Sequence, residues 1–264
     1  MKETVFTILG SSAGTGVPSF FCGCCACREA GNDPALARSR SGAALVAANG
    51  GTLLIDASPD LRGQLLREGI KEIDQVFLTH WHYDHFGGLG ELEYYVRLQR
   101  KEPLGFAFPP SAEGEFAAAF PYLLDCLSCV PWEFGRSFRF GDICITPLEA
   151  NHGCETAGLL IDSGTRRLAY FTDTAGLPET TKKAVAEVDW LICDATFHDE
   201  NWCPDQHMSV NQAIELGREV GARQTVLTHL ARHYARPITD EELRSQISRH
   251  PQVSLAYDGM RFSL

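Results

Sequence analysis

The sequence predicts a layered α/β protein, with residues 1–264 taken as a single unit. Two observations carry this. Strand-like and helix-like segments alternate for most of the length. No low-complexity tract, long charge run, fixed-period repeat or linker divides them. At 44% hydrophobic and 10% aromatic residues, the chain can bury a sizeable core without disulfides.

The elements follow in order. Thr4–Leu9 reads as a strand, followed by a Gly/Cys-rich loop to about Arg40. Ala43–Ala47 and Thr52–Asp56 form a hairpin around the turn signal Asn49-Gly50-Gly51. Ser58 as N-cap and Pro59 at the first helical position open a helix that Gly69 stops. Asp74–Thr79 is a strand that delivers a histidine cluster, followed by a helix from about Gly88 to Arg100. A strand at Leu104–Phe108 and a helix over Ala112–Leu124 come next. Strands at Ile143–Ala150, Ala157–Asp162 and Arg167–Thr172 precede a helix over Glu179–Glu187 and a strand at Trp190–Asp194. A helix over Val210–Val220 leads to a strand at Gln224–Thr228. The capping box Thr239-x-x-Glu242 opens a last helix to Ser248, and a terminal hairpin ends the chain.

Charge and cysteine usage narrow the function classes. The formal net charge of −11 opposes sequence-independent contact with a nucleic-acid backbone, so no nucleic-acid partner is expected. A small anionic substrate is still compatible with it, because a bound metal pair inverts the local sign. The N-terminus lacks a basic region followed by an apolar stretch. No apolar run approaches the roughly 18–20 residues that span a bilayer. A cytoplasmic protein without membrane contact is therefore expected. Four of the ten cysteines fall within six positions (Cys22, Cys24, Cys25, Cys27), which in a reducing compartment favours metal over disulfide. Cys126 and Cys129 are read as structural thiols, and Cys144, Cys154 and Cys193 as small core residues. The sequence leaves the oligomeric state open, a homodimer included.

The chemistry concentrates in Thr79-His80-Trp81-His82-Tyr83-Asp84-His85, directly after an apolar strand. With nine histidines in the chain, a chance His-x-His-x-Asp-His would arise in only about six in ten thousand such sequences. Residues two apart at a strand end point the same way, so His80 and His82 can converge on one ion. Asp84 and His85, as the chain turns, project toward a second. Further ligands are needed, and each candidate follows a strand: His152, Asp173 and His229. Cys22, Cys24 and Cys27 have the spacing of three thiolates at a tetrahedral zinc site. His233, four residues after His229, is the candidate fourth ligand.

This motif set resembles the metallo-β-lactamase superfamily, from Leu9 to Gly259. The resemblance implies an αββα sandwich of two similar halves with metals at one sheet edge. By the same resemblance His80, His82 and His152 would hold one divalent ion and Asp84, His85 and His229 a second, with Asp173 bridging them. Mn and Zn are the candidate metals, with Fe a further one.

The early Cys cluster, Thr172–Pro178, the Leu-Thr-His segment and Asp258-Gly259-Met260 resemble one branch more closely: the phosphoribosyl cyclic phosphate phosphodiesterases of the carbon–phosphorus lyase pathway. That resemblance implies a small cyclic phosphodiester opened by a hydroxide shared between the metals, with Asp84 among the reacting groups. It also implies a catalytic histidine at His207, for which His198 is the rival, and one structural zinc. Cys25 offers a competing thiolate there, and the spacing of His233 departs from that branch by one residue. A similar Cys-rich loop occurs in a branch of pyrroloquinoline quinone biosynthesis, so an accessory role stays open. So do thioester or lactone hydrolysis and tRNA processing.

Overall fold

The computed structural model describes residues 3–234 and 236–264. Its strands form two seven-stranded sheets. The first sheet has the order β14-β1-β2-β3-β4-β5-β6: β14 (Arg261–Ser263), β1 (Val5–Gly10), β2 (Gly42–Val46), β3 (Thr52–Ile55), β4 (Gln75–Phe77), β5 (Leu104–Phe108) and β6 (Leu127–Pro131). The second has the order β13-β12-β11-β10-β9-β8-β7: β13 (Val253–Leu255), β12 (Gln224–Thr228), β11 (Trp190–Asp194), β10 (Arg167–Phe171), β9 (Ala157–Asp162), β8 (Ile143–Glu149) and β7 (Phe138–Phe140). Each sheet is antiparallel on one side and parallel on the other, through β3–β6 and β10–β13. This matching order is the two-halved architecture expected.

Strand periodicity explains the layers. In β1, β2, β3 and β10, successive residues go to opposite faces and both faces are buried. Phe6, Ile8, Leu45, Leu53 and Ile55 meet Ile145, Leu159, Leu168 and Tyr170 between the sheets. The alternate residues Leu9, Ala44 and Leu54 pack outward under α2 (Leu61–Glu68), α4 (Glu91–Tyr94) and α5 (Glu113–Ala119). Ala169, Phe171 and Leu191 pack outward under α6 (Glu179–Ala184), α7 (Val210–Glu219) and α8 (Asp240–Ile247). The molecule is thus an αββα sandwich. No helix among the described residues is long and apolar enough to cross a membrane.

Several expectations are corrected. The loop to Arg40 contains α1 (Cys25–Asn32), whose start has no side-chain cap to announce it. The helix expected from Ser58 begins at Leu61. Asp60 stands at its N-cap but gives its carboxylate to the Arg40 backbone and guanidinium, at 2.9 Å each. The helix to Arg100 is α4 running into a π-helical stretch over Tyr95–Arg100. The helix to Leu124 stops at Ala119, two residues before Pro121. Strands β6 and β7 are additions to the expected elements. The terminal hairpin does not exist: β13 runs parallel to β12 in one sheet and β14 antiparallel to β1 in the other. The turn between them is pinned by Asp258, which accepts hydrogen bonds from the backbone N–H and hydroxyl of both Ser11 and Ser39.

Candidate metal centre

Parallel strands deliver their C-terminal ends to one edge of the sandwich, the usual place for ligands in such sheets. Asp56 follows β3, His80 follows β4, Asp173 follows β10, Asp194 ends β11 and His229 follows β12. His82, Asp84 and His85 lie on the turn into α3 (Tyr83–Phe86) and within it, and His152 on the β8–β9 loop. Asp56 and His229 have positive φ, 63° and 55°, a conformation costly for residues with a Cβ. Both carry site side chains, so the surrounding structure holds strain here.

The donor atoms converge in overlapping groups. His82 Nδ1 lies 3.1 Å from both His80 Nε2 and His152 Nε2. One proton cannot satisfy three convergent imidazole nitrogens, whereas ligands of a tetrahedral ion at about 2.0–2.1 Å stand ~3.3 Å apart. Burial holds all three histidines below their ordinary pKa, so the neutral form needed for ligation prevails. Beside them, His85 Nε2 and His229 Nε2 lie 3.0 and 3.2 Å from the two Asp173 oxygens, and 3.6 and 3.5 Å from Asp84 Oδ2. Both nitrogens, and Asp173 Oδ2, are buried without a hydrogen-bond partner among the described residues. They are close but misaligned for hydrogen bonds, as expected of groups aimed at an ion between them. The electrostatics agree. Burial pushes the Asp173 carboxyl up, but His229 and His85 outweigh it and hold it well below its usual range. Burial pushes His85 down, yet Asp173, Asp56 and Asp84 raise it well above its ordinary value. Buried carboxylates at this spot demand positive charge.

Two residues that the sequence reading missed organise the set. Asp56 accepts from His85 Nδ1 at 2.7 Å and from the Thr79 hydroxyl at 3.0 Å, and that hydroxyl lies 3.0 Å from His80 Nδ1. Asp194 repeats the device: His207 Nδ1 at 2.7 Å, and the Thr196 hydroxyl at 3.0 Å, which lies 2.8 Å from His229 Nδ1. His152 Nδ1 is fixed by the Gln206 carbonyl at 2.7 Å. For the candidate ligands His80, His85, His152 and His229, each contact assigns the proton to Nδ1 and leaves Nε2 with its lone pair. Cys154, expected in the core, is instead half-buried with its sulfur 3.7 Å from His82 Nε2.

A cavity of about 230 Å³ opens on this set, lined by His82, Asp84, Asp173, His207 and His229 among others. His207 is present there and His198 is not; the His198 ring bonds the Arg236 carbonyl at the surface. Burial would lower His207, but Asp194, then Asp173 and Asp84, raise it to about 9.

Cys22, Cys24 and Cys27 place their sulfurs within 4.8 Å of one another, and Cys25 lies outside the group, at the start of α1. His233 is also outside it: Nε2 meets Thr15 Oγ1 at 2.9 Å, and Nδ1 is buried without a partner among the described residues. Burial raises the Cys27 thiol to about 12, while the Cys24 backbone and side chain lower Cys22. A cation is what would release the buried Cys27 proton.

Comparison with known proteins places this architecture. A family model described as the β-lactamase superfamily domain matches residues 52–230, and the chain belongs to that superfamily. With the αββα sandwich and a donor set suited to divalent metal, it falls in the metallo-β-lactamase-fold hydrolase family. Three similarities are more particular. A crystal structure described as a new diphosphatase from the PhnP family superposes with a TM-score of 0.87 at 26% identity, covering 99% of this chain and 97% of that one. Coenzyme PQQ synthesis protein B of Methylobacterium radiotolerans is 31% identical over 74% of each chain. An octanoyltransferase of Porphyromonas gingivalis is 28% identical over 96% of this chain but only 50% of its own length, so the chain spans half of that relative.

Proposed function

We propose that this protein hydrolyses a small phosphodiester, with the ribosyl cyclic phosphate implied by its sequence motifs as the first substrate to assay. The observation that carries the reading is His207. Its Nδ1 lies 2.7 Å from the Asp194 carboxylate, a partner that favours the protonated ring, in the same cavity as the His/Asp donor set. His80, His82 and His152 would hold one divalent ion and Asp84, His85 and His229 a second, with Asp173 between them. Such ions, Mn, Zn or Fe, supply an activated water and neutralise charge on the phosphoryl oxygens.

The chain's own part follows from geometry. Asp194 fixes the His207 ring by its Nδ1–H, which leaves the Nε2–H for the substrate. As water oxygen bonds to phosphorus and the P–O bond to the leaving group breaks, the departing alkoxide takes the His207 proton. Asp56 and Asp194 keep the ligand imidazoles in one tautomer throughout. The three thiols of Cys22, Cys24 and Cys27 suit a structural zinc bracing the neighbouring loop. His233 would have to turn toward them to complete it. The net charge of −11 supports a small substrate over nucleic acid. The similarity to a diphosphatase of the PhnP family supports chemistry at phosphorus. The similarity to a coenzyme PQQ synthesis protein favours the second reading, an accessory role in cofactor synthesis.

The test is turnover of phosphoribosyl cyclic phosphate beside bis-p-nitrophenyl phosphate by metal-loaded protein, with His207→Ala as control. Turnover is expected, with kcat lower in the variant by about 10²–10⁴-fold at unchanged metal content. Turnover of neither ester with both ions bound would reject this reading in favour of an acyl hydrolase or an accessory protein.

A further inference from the structure

His80, His85, His152 and His229 all turn Nε2 toward the donor set, and His82 is the exception. It presents Nδ1 instead, 3.1 Å from both His80 Nε2 and His152 Nε2. A neutral imidazole carries one proton, so with Nδ1 as the ligand atom that proton stands on Nε2. The partner of that nitrogen among the described residues is the Cys154 sulfur, at 3.7 Å. No carboxylate, hydroxyl or carbonyl of the kind behind the other four rings is paired with it among those residues.

The surroundings of the thiol complete a chain in which each hydrogen has a place. The Thr156 hydroxyl donates to the Cys154 carbonyl at 3.0 Å, which leaves its oxygen free to accept. That oxygen lies 3.7 Å from the Cys154 sulfur, so the S–H is directed to it. The sulfur lone pairs are then left for the His82 Nε2–H. The loop itself is pinned at both ends. Ala150 N–H donates to the Thr156 carbonyl at 3.1 Å, and Ala157 N–H to the Thr79 carbonyl at 3.0 Å. It thus sets His152 against one nitrogen of the His82 ring and Cys154 against the other. The ring belongs to the half built on the first sheet and the loop to the half built on the second, so this grip crosses between them.

We infer that Cys154 is a positioning residue: its sulfur accepts the His82 Nε2–H and so presents Nδ1 to a divalent ion. The inference rests on the donor set holding metal, as in the reading above, and not on which ester is cleaved. Two variants separate the hydrogen bond from packing. Cys154→Val keeps apolar bulk and offers no acceptor, whereas Cys154→Ser keeps both an acceptor and a hydrogen for Thr156. Mn²⁺ is the probe, because a hard cation passes over the thiols of Cys22, Cys24 and Cys27. Free Mn²⁺ is read from its electron paramagnetic resonance signal. Cys154→Val is expected to weaken Mn²⁺ binding by about tenfold, the lower end for a group behind a ligand histidine, because a thiol is a weak acceptor. Cys154→Ser is expected to restore the affinity. A second readout identifies the proton itself. In ¹⁵N-histidine-labelled, Zn²⁺-loaded protein, His82 is expected to carry its proton on Nε2, and His80, His85, His152 and His229 theirs on Nδ1. Unchanged Mn²⁺ affinity in Cys154→Val, a serine variant as weak as the valine one, or a His82 proton on Nδ1 overturns the inference. The expected ranking in a protein that cleaves neither phosphoribosyl cyclic phosphate nor bis-p-nitrophenyl phosphate leaves the positioning role standing and rejects the phosphodiester reading instead.

Discussion

Asp56 and Asp194 each close an apolar strand, in Leu53-Leu54-Ile55-Asp56 and Leu191-Ile192-Cys193-Asp194, and each is followed by Ala and a hydroxyl residue. That paired pattern is the signal the sequence holds for them. It is easily passed over, because an aspartate at a strand end is common and neither lies in the histidine cluster. The histidines themselves are legible, because His80 and His82 lie two apart at a strand end and cannot avoid facing the same way. His152, Asp173 and His229 are legible for the same reason at other strand ends. Cys154 is not, since only tertiary contact gives it meaning. At this scale Asp56→Ala is expected to lower divalent-metal affinity by roughly 10–100-fold, the usual cost of losing a carboxylate behind a ligand histidine. Calorimetric titration with Zn²⁺ or Mn²⁺ reads this directly. Unchanged affinity in a folded variant would mean that Asp56 does not set the tautomers of His80 and His85.

Elements that bury a continuous apolar face are readable, and the weakly patterned ones are not. β1, β3, β10, β11 and β12 are buried over most of their length. β6 lies at a sheet edge with most of its residues exposed and ends in Pro131, and β7 has only three residues. Helices α1 and α8 are joined by a buried ionic network that no local pattern announces. Asp240 meets Arg38 at 3.0 Å and Arg244 at 2.5 Å, while Arg232 pairs with Glu29. Burial works against the Asp240 carboxylate, but Arg244 and Arg38 outweigh it and hold it below its usual range. A depressed carboxylate adds stability that is present above its unfolded value of about 3.9 and lost as pH falls through its folded one. Asp240→Asn should therefore cost on the order of 3–5 kcal/mol at pH 7, where it strands buried arginines. The gap to the wild type should hold down to about pH 4 and narrow as pH falls from there toward the lowered folded value. Urea midpoints at the two pH values check both, and a gap independent of pH would show that the charge is not what matters.

Over the whole molecule, the two sheets meet at the donor set. His80, His82, Asp84 and His85 come from the half built on the first sheet, and His152, Asp173 and His229 from the half built on the second. Ions there would cross-link the halves. With metal at about 1,000 times its Kd, the linkage amounts to roughly 4 kcal/mol per site, or about 8–16 °C in Tm. Thermal unfolding with and without EDTA should show a fall of that order, and identical midpoints would argue that no ion links the sheets. The layered class is legible from strand–helix alternation, and the two halves from the resemblance of the motif set to the superfamily. The crossing of the C-terminal strands between sheets is not, because Val253–Leu255 and Arg261–Ser263 sit close enough in sequence to read as a hairpin. What separates them is the distant anchoring of Asp258 on Ser11 and Ser39.

The proposed function depends on a His/Asp donor set, with Asp173 at its centre, that would cleave phosphodiesters. The decisive experiment is bis-p-nitrophenyl phosphate turnover in metal-loaded wild-type protein beside Asp173→Ala, with bound metal counted in both. Steady turnover is expected of the wild type, and of the variant a loss of at least about a hundredfold accompanied by lost metal. Equal turnover and equal metal in the two proteins would contradict it.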